Sequence, residues 1–267
     1  MRRDVTARLE LALSGQTTAY LSIAAALPAP LVAESESLLV TLDGEPVEDV
    51  TETLDEHGSR FHTVRAGAGL LQVSYDASVA GRADQAPSSD LDLLTFVRPS
   101  RYCESDALGP TARSEFGGLT GHDLLSAVSE WVHSRISYTI GSSDPTDGAV
   151  QTMLARQGIC RDFAHLCVAM LRANDVPART VAVYAPGLSP MDFHAVCEAW
   201  VDGEWCVVDA TWLAPRQSLL RISTGRDAAD TAFVTTMGPA AMLTHLEVGA
   251  VVDELPGDDW RRVAYLR

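Results

Sequence analysis

Val5, Ala7, Leu9, Leu11 and Leu13 alternate with mostly polar residues, the period of a strand with one face buried. Further strand-like runs follow at Ala19–Ala24, Leu38–Leu42, Arg60–Arg65 and Leu70–Tyr75. Turn formers separate them at Ser14-Gly15, Asp43-Gly44, His57-Gly58 and Gly67. Short strands at this spacing predict a small β-sandwich over residues 1–80. Pro28, Pro30 and the acidic stretch Glu45–Glu56 read as loops.

The pattern changes after Gly81–Asp92, a polar stretch without periodicity that opens a predicted linker over 81–105. In the second unit, 106–267, Leu124, Leu125, Val128, Trp131, Val132 and Ile136 recur at helical spacing. A second helix is expected from Pro145 to Gln157, capped by Asp144, and a third from Cys160 to Asn174. Strands are expected at Arg179–Tyr184, His194–Val201 and Glu204–Thr211, then at Asp230–Thr236, Met242–Val252 and Trp260–Leu266. Helices followed by antiparallel strands give an α+β fold.

Composition narrows the function. The chain has 267 residues, ample for a full core, and a net charge of −16 with no long basic run, which argues against a nucleic-acid groove. All 20 basic residues are Arg, so the chain offers no lysine amine for cross-linking to itself. No apolar run reaches the roughly 18 residues of a membrane span. The strand-like alternation of the first residues argues against reading Ala19–Ala33, behind Arg2-Arg3, as part of a signal peptide. Five cysteines without close CxxC spacing point to a reduced, cytoplasmic protein with no metal site. Cys167, Cys197 and Cys206 lie in apolar patterns and read as core filler, and Cys103 as structural.

Candidate chemistry centres on Cys160. It opens an amphipathic helix whose stripe runs through Phe163, Cys167, Met170 and Leu171. Unpaired N–H groups at a helix N-terminus stabilise thiolate over thiol and can hold a developing oxyanion. Gly158 is expected to let the backbone turn tightly and leave room for a substrate carbonyl. Asp162 opposes a nearby thiolate, and Arg161 offsets it. His165, on another helical face, reads as a surface or packing residue. On position alone Cys160 reads equally well as one more buried thiol.

Asp202-Gly203 is a two-residue hairpin signal between apolar strands. The resulting register sets Val196 opposite Asp209 and His194 opposite Thr211. His194 and Asp209 then share a face as diagonal neighbours, about 7–8 Å apart at the backbone. The opposite face, with Ala195, Cys197, Ala199, Val201, Cys206, Val208 and Ala210, is small and apolar and belongs in the interior. The face with His194, Glu198, Trp200, Trp205 and Asp209 is expected to form the floor beneath the reactive helix.

The segments GICRDFAHLCVAMLRANDVPART, DFHAVCEAWVDGEWCVVDAT and GRDAADTAFVTTMG, with RPSRYCESD upstream, resemble the transglutaminase-like superfamily, in particular its bacterial cysteine proteases. The resemblance implies a papain-like triad in which Cys160 is the nucleophile, His194 the base and acid, and Asp209 the orienting carboxylate. It departs from the family where Trp commonly follows the histidine by two residues; here Val196 stands there, expected to widen the wall beside the imidazole. The implied reaction is acyl transfer through a thioester, with hydrolysis of a peptide or amide substrate first. Glutamine γ-glutamyl transfer and a non-catalytic binding module on the same fold are the alternatives. No cofactor is implied. The loop Pro186–Asp192 is placed to border the cleft.

Overall fold

The structure, a computed structural model, describes residues 1–85 and 88–267. Seven strands open the chain: β1 (Arg2–Leu13), β2 (Thr17–Leu21), β3 (Val32–Leu42), β4 (Glu45–Pro46), β5 (Val50–Leu54), β6 (Arg60–Ala66) and β7 (Gly69–Ala80). Helices α1 (Asp90–Val97), α2 (Ser105–Phe116) and α3 (Gly121–Arg135) follow. Next come β8 (Ser137–Tyr138), α4 (Ala149–Ala155), β9 (Gln157–Gly158) and α5 (Cys160–Arg172). Four strands succeed them, β10 (Ala178–Tyr184), β11 (His194–Val201), β12 (Glu204–Val208) and β13 (Leu220–Gly225). The short α6 (Ala228–Thr231) and strands β14 (Val234–Met237) and β15 (Ala241–Val252) complete the order. The fold is α+β.

The alternation in β1 holds residue by residue: Val5, Ala7, Leu9, Leu11 and Leu13 are buried. They meet apolar residues of β2, β6 and β7 in one core, between a five-stranded sheet ordered β15-β1-β7-β3-β4 and a four-stranded sheet ordered β14-β2-β6-β5. Two of these strands come from the far end of the chain. β15 runs antiparallel to β1 and β14 antiparallel to β2. A division of the chain at residue 105 therefore does not follow the sheets. Their partners lie more than 200 residues away, a pairing that local pattern cannot encode.

Other expectations shift at the level of elements. The acidic loop Glu45–Glu56 contains β4 and β5. In the expected linker, residues 86–87 lie outside the described residues, while Ser89 caps α1 and exchanges hydrogen bonds with Asp92. The helix expected from Pro145 begins at Ala149 after Gly148, because the Asp144 backbone N–H is bonded to Asp147 Oδ2 in a turn of its own. The strand expected at Asp230–Thr236 is split between α6 and β14, and Trp260–Leu266 has no regular structure, although Ala264 O accepts from Val207 N at 2.8 Å.

The second core surrounds α5, whose residues from Asp162 to Arg172 are all buried. Helices α2 and α3 cover it on one side. On the other lies the sheet β12-β11-β10-β13, through Cys197, Ala199, Val201, Cys206 and Val208. Helix α5 thus sits on the small, apolar face of the hairpin, and the face carrying His194 is not its floor. Small side chains let a helix approach a sheet closely, whereas two Trp and a Glu would hold it off. The His194 face is closed separately. Glu198 is paired with Arg179 at 2.8 Å and Arg221 at 2.7 Å, and the Arg179 guanidinium lies over Trp205, which meets Phe96 of α1 edge-on. Tyr184, the last residue of β10, packs into the first core and donates from its hydroxyl to Ile23 O at 2.8 Å.

Candidate active site

Cys160 is the first residue of α5 and the only one of the five cysteines that is not buried. The helix starts there because Asp162, two residues on, reaches back to accept the Ile159 N–H at 2.8 Å. The carboxylate is fully engaged: Oδ2 also accepts from Ser143 Oγ, and Oδ1 receives the Arg161 guanidinium at 3.0 Å. Arg161 offsets the Asp162 charge as expected. The expectation for Gly158 is corrected. Its φ is not in the left-handed region, and a Cβ there would stand 2.7 Å from Asp162 Cβ. The glycine makes room for the capping aspartate rather than for a substrate carbonyl.

The Asp202-Gly203 turn has φ values of 52° and 84°, a left-handed pair that matches strand twist, and it fixes Cys197 opposite Val208 and Val201 opposite Glu204. The predicted register is therefore present, and β12 ends one residue before Asp209. His194 Nε2 and Asp209 Oδ2 are 2.8 Å apart, and both side chains are shut away from solvent. Asp209 Oδ1 accepts from Thr211 N at 2.9 Å and Thr211 Oγ1 at 2.7 Å. Both carboxylate oxygens are thereby held, and with them the plane of the imidazole.

Electrostatics follow from this pairing. Burial works against charge on His194, but the Asp209 carboxylate outweighs it and raises the imidazole pKa well above 6.5. Burial likewise opposes the charge of Asp209, and the imidazolium with the two Thr211 donors overrides it, holding the carboxyl below its ordinary range. The Cys160 thiol is near enough to favour the imidazolium as well. Nδ1 of His194, the nitrogen not used by Asp209, has no hydrogen-bond partner among the described residues. The thiol itself points to Phe193 O at 3.9 Å, one residue beyond the loop Pro186–Asp192. Asp192 lies in the same segment, its carboxyl raised by burial.

Behind Asp209 the chain turns through Trp212, whose φ of 54° is unusual for a large side chain. Its indole is stacked between His133, at 3.5 Å, and Trp260, at 4.4 Å, and donates to Ser129 Oγ at 3.2 Å. His133 Nδ1 also meets Ala210 O at 2.9 Å. These contacts hold the backbone that carries Asp209. A cleft of about 230 Å³ opens here between Trp212, Pro215, Arg216, Asp258 and Trp260, and Cys160 is not part of its wall.

Two further readings change. Val196 is buried among Val181, Val183 and Val207, so the missing family Trp leaves packed interior rather than a widened wall. His165 is buried, not at the surface: its Nε2 accepts the Ala228 N–H at 3.0 Å, it stacks on Tyr102, and burial lowers its pKa to about 4. Cys103 is fully buried, which pushes its thiol up to about 12 and fits a structural role. Two residues of the site carry no flag in the sequence. Thr211 is legible after the fact, since an aspartate commonly accepts from the residue two positions on. Tyr138 is not legible. It stands in a two-residue strand parallel to β9, opposite Gly158 and two residues from the thiol in that register.

A thiol at a helix start and a buried His–Asp pair at the end of the adjoining hairpin, in an α+β fold, are arranged like a papain-type centre. Comparison with known proteins agrees at the level of family. The model of the transglutaminase-like superfamily matches residues 114–210. A crystal structure from Cytophaga hutchinsonii, named "Putative Cysteine Protease", is 32% identical, superposes with a TM-score of 0.87, and covers 97% of this chain and 92% of its own. An uncharacterised protein of Mycobacterium tuberculosis is 31% identical over 227 residues, covering 67% of this chain and 72% of its own length. Another, from Mycobacterium leprae, is 25% identical over 141 residues, and the match spans 49% of that relative's length. The chain belongs to the transglutaminase-like superfamily. Among the described residues, no helix is long and apolar enough to cross a membrane.

Proposed function

We propose that Cys160, His194 and Asp209 form a catalytic triad that hydrolyses peptide or amide bonds through a thioester. The observation that carries this reading is the buried His194–Asp209 contact of 2.8 Å, with the other ring nitrogen unpartnered and the thiol beside it. His194 Nδ1 takes the thiol proton, and Sγ attacks the carbonyl carbon. As the tetrahedral adduct collapses, the C–N bond breaks and the imidazolium protonates the departing amine. Water, deprotonated by the same ring, then cleaves the thioester. Asp209 keeps its proton off throughout and fixes the tautomer that presents Nδ1 to the thiol.

Likeness to the Cytophaga protein supports water rather than an amine as the acceptor, and supports reading the paired N-terminal sheets as a β-sandwich beside the catalytic unit. The five unpaired cysteines support a reducing, cytoplasmic setting. The test is iodoacetamide labelling across pH 5–9 with peptide mapping, on wild type and His194→Ala. Because Cys160 is the one thiol of the five that is not buried, selectivity alone does not count; the pH profile does. Labelling that persists near or below neutral pH and weakens in the variant is expected. An ordinary thiol profile near pH 8.5 in both proteins rules out the triad.

A further inference from the structure

Asp192 is a carboxylate beside this site that the triad does not use. The chain next to it is pinned: the Phe193 ring stacks on Phe233 at 5.3 Å and meets Tyr184 at 5.6 Å, while its carbonyl faces the thiol at 3.9 Å. The Phe193 N–H donates to Asp192 Oδ1 at 2.7 Å, and Oδ2 has no hydrogen-bond partner among the described residues. Burial first, then negative charge on Cys160 and on Asp192, hold the Tyr138 hydroxyl protonated, so thiol and carboxylate stand within range of one phenol. Asp192 is exposed and forms no ion pair among the described residues. The cations at hand are spent, Arg161 on Asp162 and the His194 imidazolium on Asp209. A further negative charge near Sγ works against the thiolate, a cost that a cation brought by the substrate removes. The net charge of −16 draws cations toward the surface in general, and Asp192 gives that field a fixed point next to the nucleophile.

We infer that Asp192 is a specificity-determining residue: its carboxylate receives a cationic side chain next to the scissile bond, and the substrates of Cys160 are basic peptides. This rests on the triad reading above and adds a substrate class to it. An arginine guanidinium suits the place, because Oδ2 is open and a carboxylate accepts planar N–H pairs well; a lysine ammonium fits as a point charge. The position is preorganised, since the Phe193 N–H orients the carboxylate and the Phe193 ring fixes the backbone that carries it. Asp192 moves no proton in the reaction. It acts on the substrate through charge and hydrogen bonds alone.

Two readouts on the full chain test this. In the first, 2-aminoethyl and 2-hydroxyethyl methanethiosulfonate, which differ by one charge, each form a mixed disulfide with Cys160 and release methanesulfinate. Rates are followed by intact mass and peptide mapping. Wild type is expected to favour the cationic reagent about 10-fold, a ratio that falls to within about twofold in Asp192→Asn and returns in Asp192→Glu. Asn keeps the acceptor for the Phe193 N–H at an exposed position, so the fold is not threatened. In the second, two mixed peptide pools, identical except that citrulline replaces arginine in one, are digested and read by mass spectrometry. Wild type is expected to cut next to arginine about 10-fold faster than at the matching citrullines, and the Asn variant to cut both at similar rates. An Asn variant that keeps either preference overturns the inference, and so does a wild type that cuts without regard to charge. Equal slowing of both reagents makes Asp192 a support of the thiol and overturns it too. If neither pool is cut although Cys160 labels near neutral pH, peptide hydrolysis fails and the basic-peptide substrate with it; if that labelling profile is absent, the triad itself fails.

Discussion

Two buried carboxylates stand on the same face of the same hairpin. Glu198 and Asp209 are both sealed from solvent, and in both burial raises the carboxyl pKa while cationic partners lower it further. They differ in what they are paired with. Glu198 meets two arginines, which can only donate hydrogen bonds, and the cluster is capped by Trp205 and Phe96. Asp209 meets a histidine, whose charge does leave, and that histidine has a free nitrogen beside a partly exposed thiol. Burial and a shifted pKa are common to both. A titratable partner with an outlet is found at one end only, and that makes it the end where a proton can be moved.

The comparison can be broken hardest at the outlet. Cys160→Ala is expected to lower thiol-dependent hydrolysis at least ~10³-fold in a model-amide assay, leaving thermal stability unchanged because the side chain is partly exposed. Residual activity near wild type would move the nucleophile elsewhere. Asp209→Asn comes next, with a drop of about 10⁴-fold in kcat if the carboxylate sets the tautomer as in other triads.

Its stability profile sharpens the point. In wild type the raised His194 pKa gives a contribution that is complete below 6.5 and disappears as pH rises through the folded value. The depressed Asp209 pKa gives one that is complete above 3.8 and disappears as pH falls through the folded value. Above pH 6.5, wild type is therefore expected to lose up to about 1.4 kcal/mol per pH unit from His194, and the Asn variant is expected to lack most of that slope in urea titrations. Parallel slopes would sink the coupling.

At the other end, Glu198→Ala leaves two guanidinium groups facing each other in the interior. A loss of about 3–5 kcal/mol in unfolding free energy is expected, with activity per folded molecule within a few-fold of wild type. A selective collapse of activity in folded protein would show that the two carboxylates are not separate in role. The smallest effect is expected from Thr211→Val, which removes one donor to Asp209 Oδ1 and keeps the backbone one. It should cost about 1 kcal/mol and a few-fold in rate, measured by denaturation and by the same amide assay.

How much of this was legible before folding depends on the range of each interaction. The strand β1, the start of a helix at Cys160 and the hairpin register at Asp202-Gly203 are set within a few residues, by alternation, by a capping carboxylate and by a left-handed turn pair. From that register alone His194 and Asp209 fall on one face, and their contact is present in the structure. What the pattern misassigned is which face helix α5 covers, since both faces of the hairpin are buried and each has its own cover. The return of β14 and β15 to the first sheets, and the siting of Tyr138 beside the thiol, were beyond it as well. Local chemistry determined the reactive residue types, their order and the hairpin that pairs two of them. Tertiary structure alone decided what closes each face and what stands next to Cys160, because those contacts join segments whose encounter depends on the shape and volume of the whole core.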